Sequence, residues 1–161
     1  MSGTFSKIYI QIVFAVQGRR SLINQSWEDE LYKYITGTIT NKQQKLLAIN
    51  GMPDHVHILI GMKPSCCLSD LVREIKKSSN DFICEKNFCR GNFNWQEGFG
   101  AFSYSPNDLN RVITYIQNQK THHQKSMFKD EYHTMLSEFE IDFKEEYLFE
   151  WIDDNPLDHN A

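Results

Sequence analysis

Hydrophobic residues near the N-terminus alternate along the chain in the pattern of a β-strand. Even-numbered positions carry Ile8, Ile10, Ile12, Phe14 and Val16. Side chains at every second residue of a strand point to the same face of a sheet. We therefore predict a first strand whose even-numbered face is buried.

The next segment has the spacing of a helix. Apolar side chains recur at intervals of three and four residues between positions 27 and 39. Ser26 precedes them, and a serine hydroxyl at that place can accept a hydrogen bond from a free amide of the first turn. The same spacing from about Ser69 to Glu85 predicts a second helix, with Arg73, Lys76 and Lys77 along one flank.

Two short apolar runs between these helices predict a β-hairpin. They are Lys45–Ile49 and His55–Met62, and the second is rich in β-branched residues. Asn50-Gly51 and Pro53-Asp54 separate the runs, and both pairs are typical of turns. Each run therefore predicts one strand of the hairpin.

The remaining elements complete the predicted fold. Residues 93–104 are rich in aromatic side chains and contain two glycines, which predicts a last strand with a bend. The order strand, helix, hairpin, helix, strand predicts an α+β, ferredoxin-like (RRM-like) fold, in which helices cover one face of an antiparallel sheet. C-terminal helices follow at 106–124 and 128–139. We expect a single domain over residues 1–150 and an acidic C-terminal tail over 151–161.

Charged residues are unevenly distributed, and the formal net charge is −4. Residues 1–129 hold sixteen basic and ten acidic side chains, a net charge of +6, whereas residues 130–161 hold eleven acidic side chains and one lysine, a net charge of −10. Because phosphate binding depends on local potential, the basic body can bind a nucleic acid while the acidic segment lies elsewhere. Ordinary surface charge explains the same distribution equally well.

The sequence predicts a cytoplasmic protein without a membrane span. It contains no run of about 20 apolar residues, and its polar N-terminus lacks the layout of a signal peptide. The four cysteines match no common zinc spacing, which favours free thiols.

His55 and His57 form a candidate metal-binding pair. On a strand they project from one face, and their Cβ atoms lie roughly 6.6 Å apart, close enough for both rings to bind one divalent ion. We expect the two rings to stand on an open surface of the sheet. Plain surface histidines have the same spacing, and two ligands do not complete a site, so a third ligand must come from elsewhere.

The helix that begins near Pro106 carries a tyrosine beside its buried face. Ser105 is a suitable capping residue, and proline is favoured in the first turn. Four apolar residues of this helix form one narrow stripe, and Tyr115 lies about 110° away from its centre on the helical wheel. Gln119 lies one turn further, on the same flank, and offers an amide oxygen to a hard metal ion. A half-exposed structural tyrosine is the alternative.

Three separated motifs resemble a known family. They are Met52–Leu59 with the histidine pair, Trp95–Ser103, and Tyr115–Gln119. In this order they resemble the single-tyrosine HUH transposases of small bacterial insertion sequences, the IS200-like transposase family. The resemblance extends from about Phe5 to Tyr147.

The resemblance implies a mechanism and partners. By this resemblance, Tyr115 is the nucleophile that cleaves and rejoins single-stranded DNA through a 5′-phosphotyrosine intermediate. The ligands of Mg²⁺ or Mn²⁺ are then His55, His57 and Gln119. The resemblance also implies DNA with subterminal hairpins as the substrate, a ferredoxin-like fold, and a homodimer in which the tyrosine helix of one chain completes the histidine site of the other. The proton acceptor for Tyr115 stays open, with His122 as a candidate.

Three other functions are compatible with parts of the sequence. A non-catalytic RNA- or single-stranded-DNA-binding module would have the same sheet, with Phe93, Trp95 or Tyr104 stacking on bases. A domesticated REP-associated tyrosine transposase would share the chemistry but act on a host repeat. A relaxase or replication nickase usually has a longer chain.

Overall fold

The computed structural model describes residues 3–152. The described strands form one antiparallel sheet in the order β2-β3-β1-β4. These strands are β1 (Tyr9–Ala15), β2 (Lys45–Met52), β3 (His55–Gly61) and β4 (Gly100–Tyr104). The helices are α1 (Glu28–Asn41), α2 (Leu68–Glu85), α3 (Leu109–Gln117), α4 (Gln119–His122) and α5 (Phe128–Glu138). The order of elements and of strands is that of the predicted ferredoxin-like α+β fold.

One face of the sheet is covered by α1 and α2. Ile12 and Phe14 of β1 are fully buried there, as predicted, in a core that includes Ile35 of α1 and Ile75 of α2. This layer lies behind β3, the strand that carries both histidines.

The opposite face of the sheet is covered as well. The prediction that only the even-numbered face of β1 is buried is therefore incomplete, because Gln11 and Val13 are 1% and 0% exposed. Val112 and Ile116 of α3 pack on Ala48 and Leu59 of the sheet in a second apolar cluster, and α5 packs further along the same face. The C-terminal helices thus form a second layer.

Several local predictions were wrong. Asn50-Gly51 lies inside β2 rather than in a turn; a Cβ on Gly51 would lie 2.3 Å from the His55 carbonyl oxygen, so glycine here allows a close approach of β2 and β3. Ser26 does not cap α1. Instead, Asn24 accepts a hydrogen bond from the Ser26 amide through its Oδ1, at 2.8 Å, and its carbonyl accepts one from the Glu28 amide.

The predicted helix over residues 106–124 is divided. A 3-10 turn at Pro106–Asp108 precedes α3, and Asn118 separates α3 from α4. The Asn50 side chain donates to the Gln117 carbonyl at 3.1 Å, which gives that carbonyl a partner outside the helix at the break. Ser105 stands at the predicted cap position, but its hydroxyl donates to the Asp108 carboxylate rather than binding an amide.

The predicted last strand is shorter than expected. β4 begins at Gly100, and the preceding segment pairs with β1 through a single bridge between Val16 and Trp95. Gly98 has a φ of 83°, so the bend falls at one of the two predicted glycines.

The acidic C-terminal segment does not all lie away from the body. Its first part forms most of α5, and Trp151 contacts the rings of Phe128 and Tyr132. The predicted tail over 151–161 lies outside the described residues from position 153 onward. No helix within residues 3–152 is long and apolar enough to cross a membrane.

Candidate active site

His55 and His57 project from the face of β3 that the C-terminal helices cover. Their ring centroids are 5.0 Å apart, and both side chains are 0% exposed. The expectation that they stand on an open surface is therefore wrong. Helix α5 packs over them and stacks the ring of Phe128 on His55 with a centroid separation of 3.8 Å.

His55 is held by the aspartate that precedes it. Its Nδ1 donates to the Asp54 carboxylate at 2.7 Å, which fixes the ring and leaves Nε2 facing the interior of the site. Burial by itself lowers the pKa of His55, but the charges and hydrogen bonds of Asp54 and then of Glu131 outweigh it and raise that pKa to about 9.

His57 is held by a polar chain that runs through the sheet. Its Nδ1 donates to Oε1 of Gln11 on β1 at 2.6 Å, and the Gln11 amide nitrogen donates to the Tyr104 hydroxyl of β4 at 2.7 Å. Burial lowers the pKa of His57, so its ring is readily neutral and its Nε2 lone pair is free to bind a cation.

Tyr115 lies beside His57, with ring centroids 6.0 Å apart. It is half-buried on α3, next to the apolar stripe rather than on it, as the helical periodicity predicts. Its hydroxyl donates to Oε2 of Glu131. Burial and the negative charge of Glu131 raise its pKa well above the ordinary value, so the phenol is protonated at neutral pH.

Gln119, the first residue of α4, is fully buried against the same group. Its Oε1 lies 3.3 Å from Nε2 of His55, and its amide nitrogen donates to Oε2 of Glu131 at 3.1 Å. All four residues that the sequence singles out for catalysis and metal binding therefore meet in one place, and one chain contributes all of them.

Glu131 of α5 lies at the centre of this group, and the sequence analysis missed it. Its Oε1 is 3.2 Å from Nε2 of His55, 3.1 Å from Nε2 of His57 and 3.0 Å from Nε2 of His123. Burial by itself raises the pKa of Glu131, but His57, His123 and His55 together hold it well below its usual range. The carboxylate is therefore ionised.

The sequence does contain a signal for Glu131. Phe128, Tyr132 and Met135 form the buried face of α5, and Glu131 falls on that same face. A carboxylate is rarely buried without a partner. A single acidic residue on the apolar stripe of a helix therefore indicates a bound cation or a cluster of imidazoles.

The adjacent histidines 122 and 123 flank the carboxylate from the other side. His123 Nδ1 donates to the Ser126 carbonyl at 2.7 Å while its Nε2 faces Glu131. His122 Nε2 is 3.5 Å from Oε2 of Glu131, and its ring centroid is 5.3 Å from that of Tyr115. His122 thus lies near the phenol, where the sequence makes it a candidate proton acceptor, but the phenol hydrogen bond goes to Glu131.

The donor atoms suit a divalent metal ion. The ligand atoms of His55, His57 and Glu131 all lie within 4.8 Å of one another. Imidazole nitrogens and carboxylate or amide oxygens together bind Mn²⁺ and related divalent ions, and oxygen donors suit Mg²⁺. The residues present therefore fit such an ion.

A cavity of about 330 Å³ opens on the Tyr115 side of the site. Its lining includes Arg111, Tyr115, His122 and Glu131, whereas the two histidines of β3 lie behind the carboxylate. A phosphate that enters this cavity meets the Arg111 guanidinium and the Tyr115 phenol, together with the carboxylates of Asp130, Glu131 and Glu138. The cavity is large enough for a small ligand group.

Two of the aromatic residues expected to stack on bases, and one lysine of the basic flank of α2, have structural roles. Phe93 and Trp95 are 1% and 8% exposed, so they belong to the core and cannot stack on bases. Lys76 donates to the carbonyls of Gln96 and Gly98 at 2.8 and 2.6 Å, which fixes the loop before β4. Burial lowers the pKa of this lysine to about 8.

Comparisons with known proteins support the fold. A crystal structure of a protein provisionally assigned as a transposase, from Deinococcus radiodurans R1, superposes with a TM-score of 0.59 at 23% identity, over 74% of this chain and 95% of that one. A REP-associated tyrosine transposase bound to a REP hairpin superposes with a TM-score of 0.57 at 20% identity, over 76% of this chain and 74% of that one. At these identities the likeness is one of fold.

The comparison with curated proteins returned no match. A family model described as "Transposase IS200 like" matches residues 4–119, which include both histidines of β3, Tyr115 and Gln119. The chain therefore belongs to the IS200-like transposase family.

Proposed function

We propose that this transposase cleaves and rejoins single-stranded DNA at the ends of an insertion sequence through a covalent 5′-phosphotyrosine. Tyr115 is the nucleophile, and His55, His57 and Gln119 hold Mg²⁺ or Mn²⁺. The observation that carries the proposal is the position of Tyr115. Its half-buried ring borders the cavity on one side and lies against His57 of the buried histidine pair on the other.

The bond changes follow from the nature of the nucleophile. The Tyr115 oxygen attacks the phosphorus, the bond from phosphorus to the 3′-oxygen breaks, and the leaving strand takes up a proton to end in a 3′-hydroxyl. The 5′-phosphate stays on the tyrosine as an ester, which preserves the phosphodiester bond energy for attack by another 3′-hydroxyl. The reaction therefore needs neither ATP nor water.

The residues of the site prepare this step. The Tyr115 hydroxyl already donates to Glu131, so the lone pair that attacks is held in one direction. The raised pKa of Tyr115 means that the phenol must be activated within the complex. When bound, a divalent ion supplies positive charge that favours the phenolate and the transition-state phosphate.

We also propose that DNA with subterminal hairpins docks on a basic surface at the far end of the sheet. A cavity of about 540 Å³ there is lined by Lys42, Lys63, Arg73 and Lys77, which outnumber Asp70 and Glu74 in the same lining. Lys63 lies eight residues after His55, which begins β3, so the surface lies roughly 25 Å from the site by strand length. Glutamine at Lys63 and Lys77 should weaken hairpin binding and reduce its salt dependence by about two phosphate contacts.

Sharing of active sites between two chains is a further prediction. Within one chain Tyr115 already reaches the histidines, so a dimer can exchange its α3–α5 segments or keep them. Mixing His57→Ala with Tyr115→Phe tests the exchange: restored cleavage requires an intact histidine pair and an intact tyrosine from different chains. Activity that stays absent at every mixing ratio would support a site formed within one chain.

The cleavage experiment uses labelled single-stranded oligonucleotides from the DNA on either side of the protein's own gene. With Mg²⁺ or Mn²⁺, wild type should give a covalent adduct, Tyr115→Phe none, and His57→Ala none that depends on metal. Tyr147→Phe is a matched control, because Tyr147 is 78% exposed. An intact adduct in Tyr115→Phe would show that Tyr115 is not the nucleophile.

The same experiment separates the alternatives. A non-catalytic nucleic-acid-binding module would bind the oligonucleotides without any adduct. A REP-associated function, which the second structural neighbour makes worth testing, would give an adduct with a host repeat and none with the ends of the chain's own element.

A further inference from the structure

Three imidazoles in the site direct their Nε2 atoms at the same carboxylate. The Nδ1 atoms of His55, His57 and His123 face oxygen acceptors, namely a carboxylate, an amide oxygen and a backbone carbonyl. Each Nδ1 must therefore carry its proton. In the neutral rings every Nε2 is then a lone pair.

These lone pairs have no donor to meet. The Nε2 atoms lie 3.0 to 3.2 Å from Oε1 of Glu131, and an ionised carboxylate only accepts hydrogen bonds. The amide of Gln119 adds a further acceptor, because its nitrogen is used by Glu131 and its Oε1 faces His55 at 3.3 Å. Such a convergence requires positive charge at its centre, which either protons on the imidazole nitrogens or a bound cation supplies.

The spacing of the acceptors matches the coordination sphere of one ion. Two ligands at right angles, each about 2.1 Å from a divalent ion, lie about 3.0 Å apart. The separations of Oε1 of Glu131 from Nε2 of His55 and of His57 are 3.2 and 3.1 Å. Small movements would admit the ion.

We propose that Glu131 is a metal ligand, so that two imidazoles, an amide and a carboxylate hold the ion. This inference rests on the proposed metal site and adds a ligand to it from α5. Oε1 of Glu131 binds the ion, while Oε2 keeps its hydrogen bonds from Tyr115 and Gln119. One carboxylate thereby positions the phenol relative to the ion.

The placement of Glu131 has two consequences. Helix α5 then supplies a ligand instead of only covering the site. Because the other ligands include histidines of β3, metal binding links the C-terminal layer to the sheet. The carboxylate also supplies the negative charge that the two histidines and Gln119 lack, which strengthens binding of a dication in a buried position.

The test measures binding of Mn²⁺ alone to the full chain by titration calorimetry after removal of bound metal. Glu131→Gln keeps the shape of the side chain and removes its charge. Glu85→Gln is the control, because Glu85 is exposed at the end of α2, outside the lining of the site cavity. His57→Ala tests the histidine site independently.

We expect Glu131→Gln to lose at least about tenfold in Mn²⁺ affinity, Glu85→Gln to match wild type, and His57→Ala to lose detectable binding. Co²⁺ gives a second readout, because its visible absorption reports the ligand set, and Glu131→Gln should alter that spectrum. Wild-type affinity in Glu131→Gln together with loss in His57→Ala would overturn the role of Glu131 and leave the proposed function intact. Wild-type affinity in His57→Ala would overturn both.

Glu131→Asp keeps the result interpretable if the glutamine variant does not fold. Aspartate retains the charge but withdraws the oxygens by about one carbon–carbon bond, roughly 1.5 Å. We expect weaker Mn²⁺ binding than in wild type. Equal affinity would contradict direct ligation.

Discussion

Replacing Gln11 by leucine removes the partner that orients His57 without touching a proposed ligand. Gln11 is 1% exposed on β1, and its two polar atoms join Nδ1 of His57 to the Tyr104 hydroxyl at 2.6 and 2.7 Å. Leucine has a similar size but neither a donor nor an acceptor. The variant therefore leaves a buried N–H on His57 without a partner and frees its ring to change tautomer.

The expected effects have different sizes. Leaving a buried donor unsatisfied costs about 1–3 kcal/mol in the free energy of unfolding. Loss of the group that orients a metal-binding histidine costs about 10- to 100-fold in metal affinity. Gln11 contacts neither the phenol nor the cavity. Covalent adduct formation should therefore decrease only because less metal is bound, and it should recover at high Mn²⁺.

Three measurements check this prediction. Urea unfolding in EDTA gives the stability change, titration calorimetry gives the Mn²⁺ affinity, and adduct formation is followed against Mn²⁺ concentration. Gln17→Leu is the control, because Gln17 is exposed just beyond the end of the same strand. Unchanged Mn²⁺ affinity in Gln11→Leu would refute the reasoning that the hydrogen bond from His57 prepares its Nε2 for metal.

Two further predictions concern packing and pH. Gly100→Ala should lower the free energy of unfolding by about 1–3 kcal/mol, because its Cβ would lie 2.5 Å from the Tyr132 hydroxyl oxygen. Gly37→Ala, with nothing within 4 Å in the middle of α1, should raise it by about 0.5–1 kcal/mol, and urea unfolding of both variants decides. Because Asp54 and Glu131 raise the pKa of His55 from 6.5 to about 9, His55 contributes stability that is fully present below pH 6.5 and lost as the pH rises through 9. In Asp54→Asn the unfolding free energy in EDTA should vary less over that range, and an unchanged pH profile would contradict this assignment.

The sequence predicts the sheet and helices α1 and α2 because the apolar periodicities of these elements are long and regular. It fails where a side chain from a distant element decides the local structure. Gly51 allows β2 and β3 to approach each other closely and does not form a turn. The Asn50 side chain binds the carbonyl of Gln117, the residue at which α3 ends. Neither contact is visible in a local pattern.

The candidate site shows the same division. Strand alternation brings His55 and His57 to one face, and the helical wheel sets Tyr115 and Gln119 beside the buried stripe. The predicted open surface was wrong because α5 folds back onto that face. The position of α5 depends on packing against Gly100 and the neighbouring aromatic rings, which the sequence of the helix does not reveal. Glu131 enters the site because it lies on this helix.

The covalent link itself tests the central claim most directly. Wild-type chain is incubated with Mn²⁺ and single-stranded oligonucleotides from the ends of its element, then digested, and the DNA-bearing peptide is identified by mass spectrometry. The account predicts a nucleotide attached through its 5′-phosphate to Tyr115. A nucleotide on any other residue, or cleaved DNA with a free 5′-phosphate and no attached peptide, would contradict it.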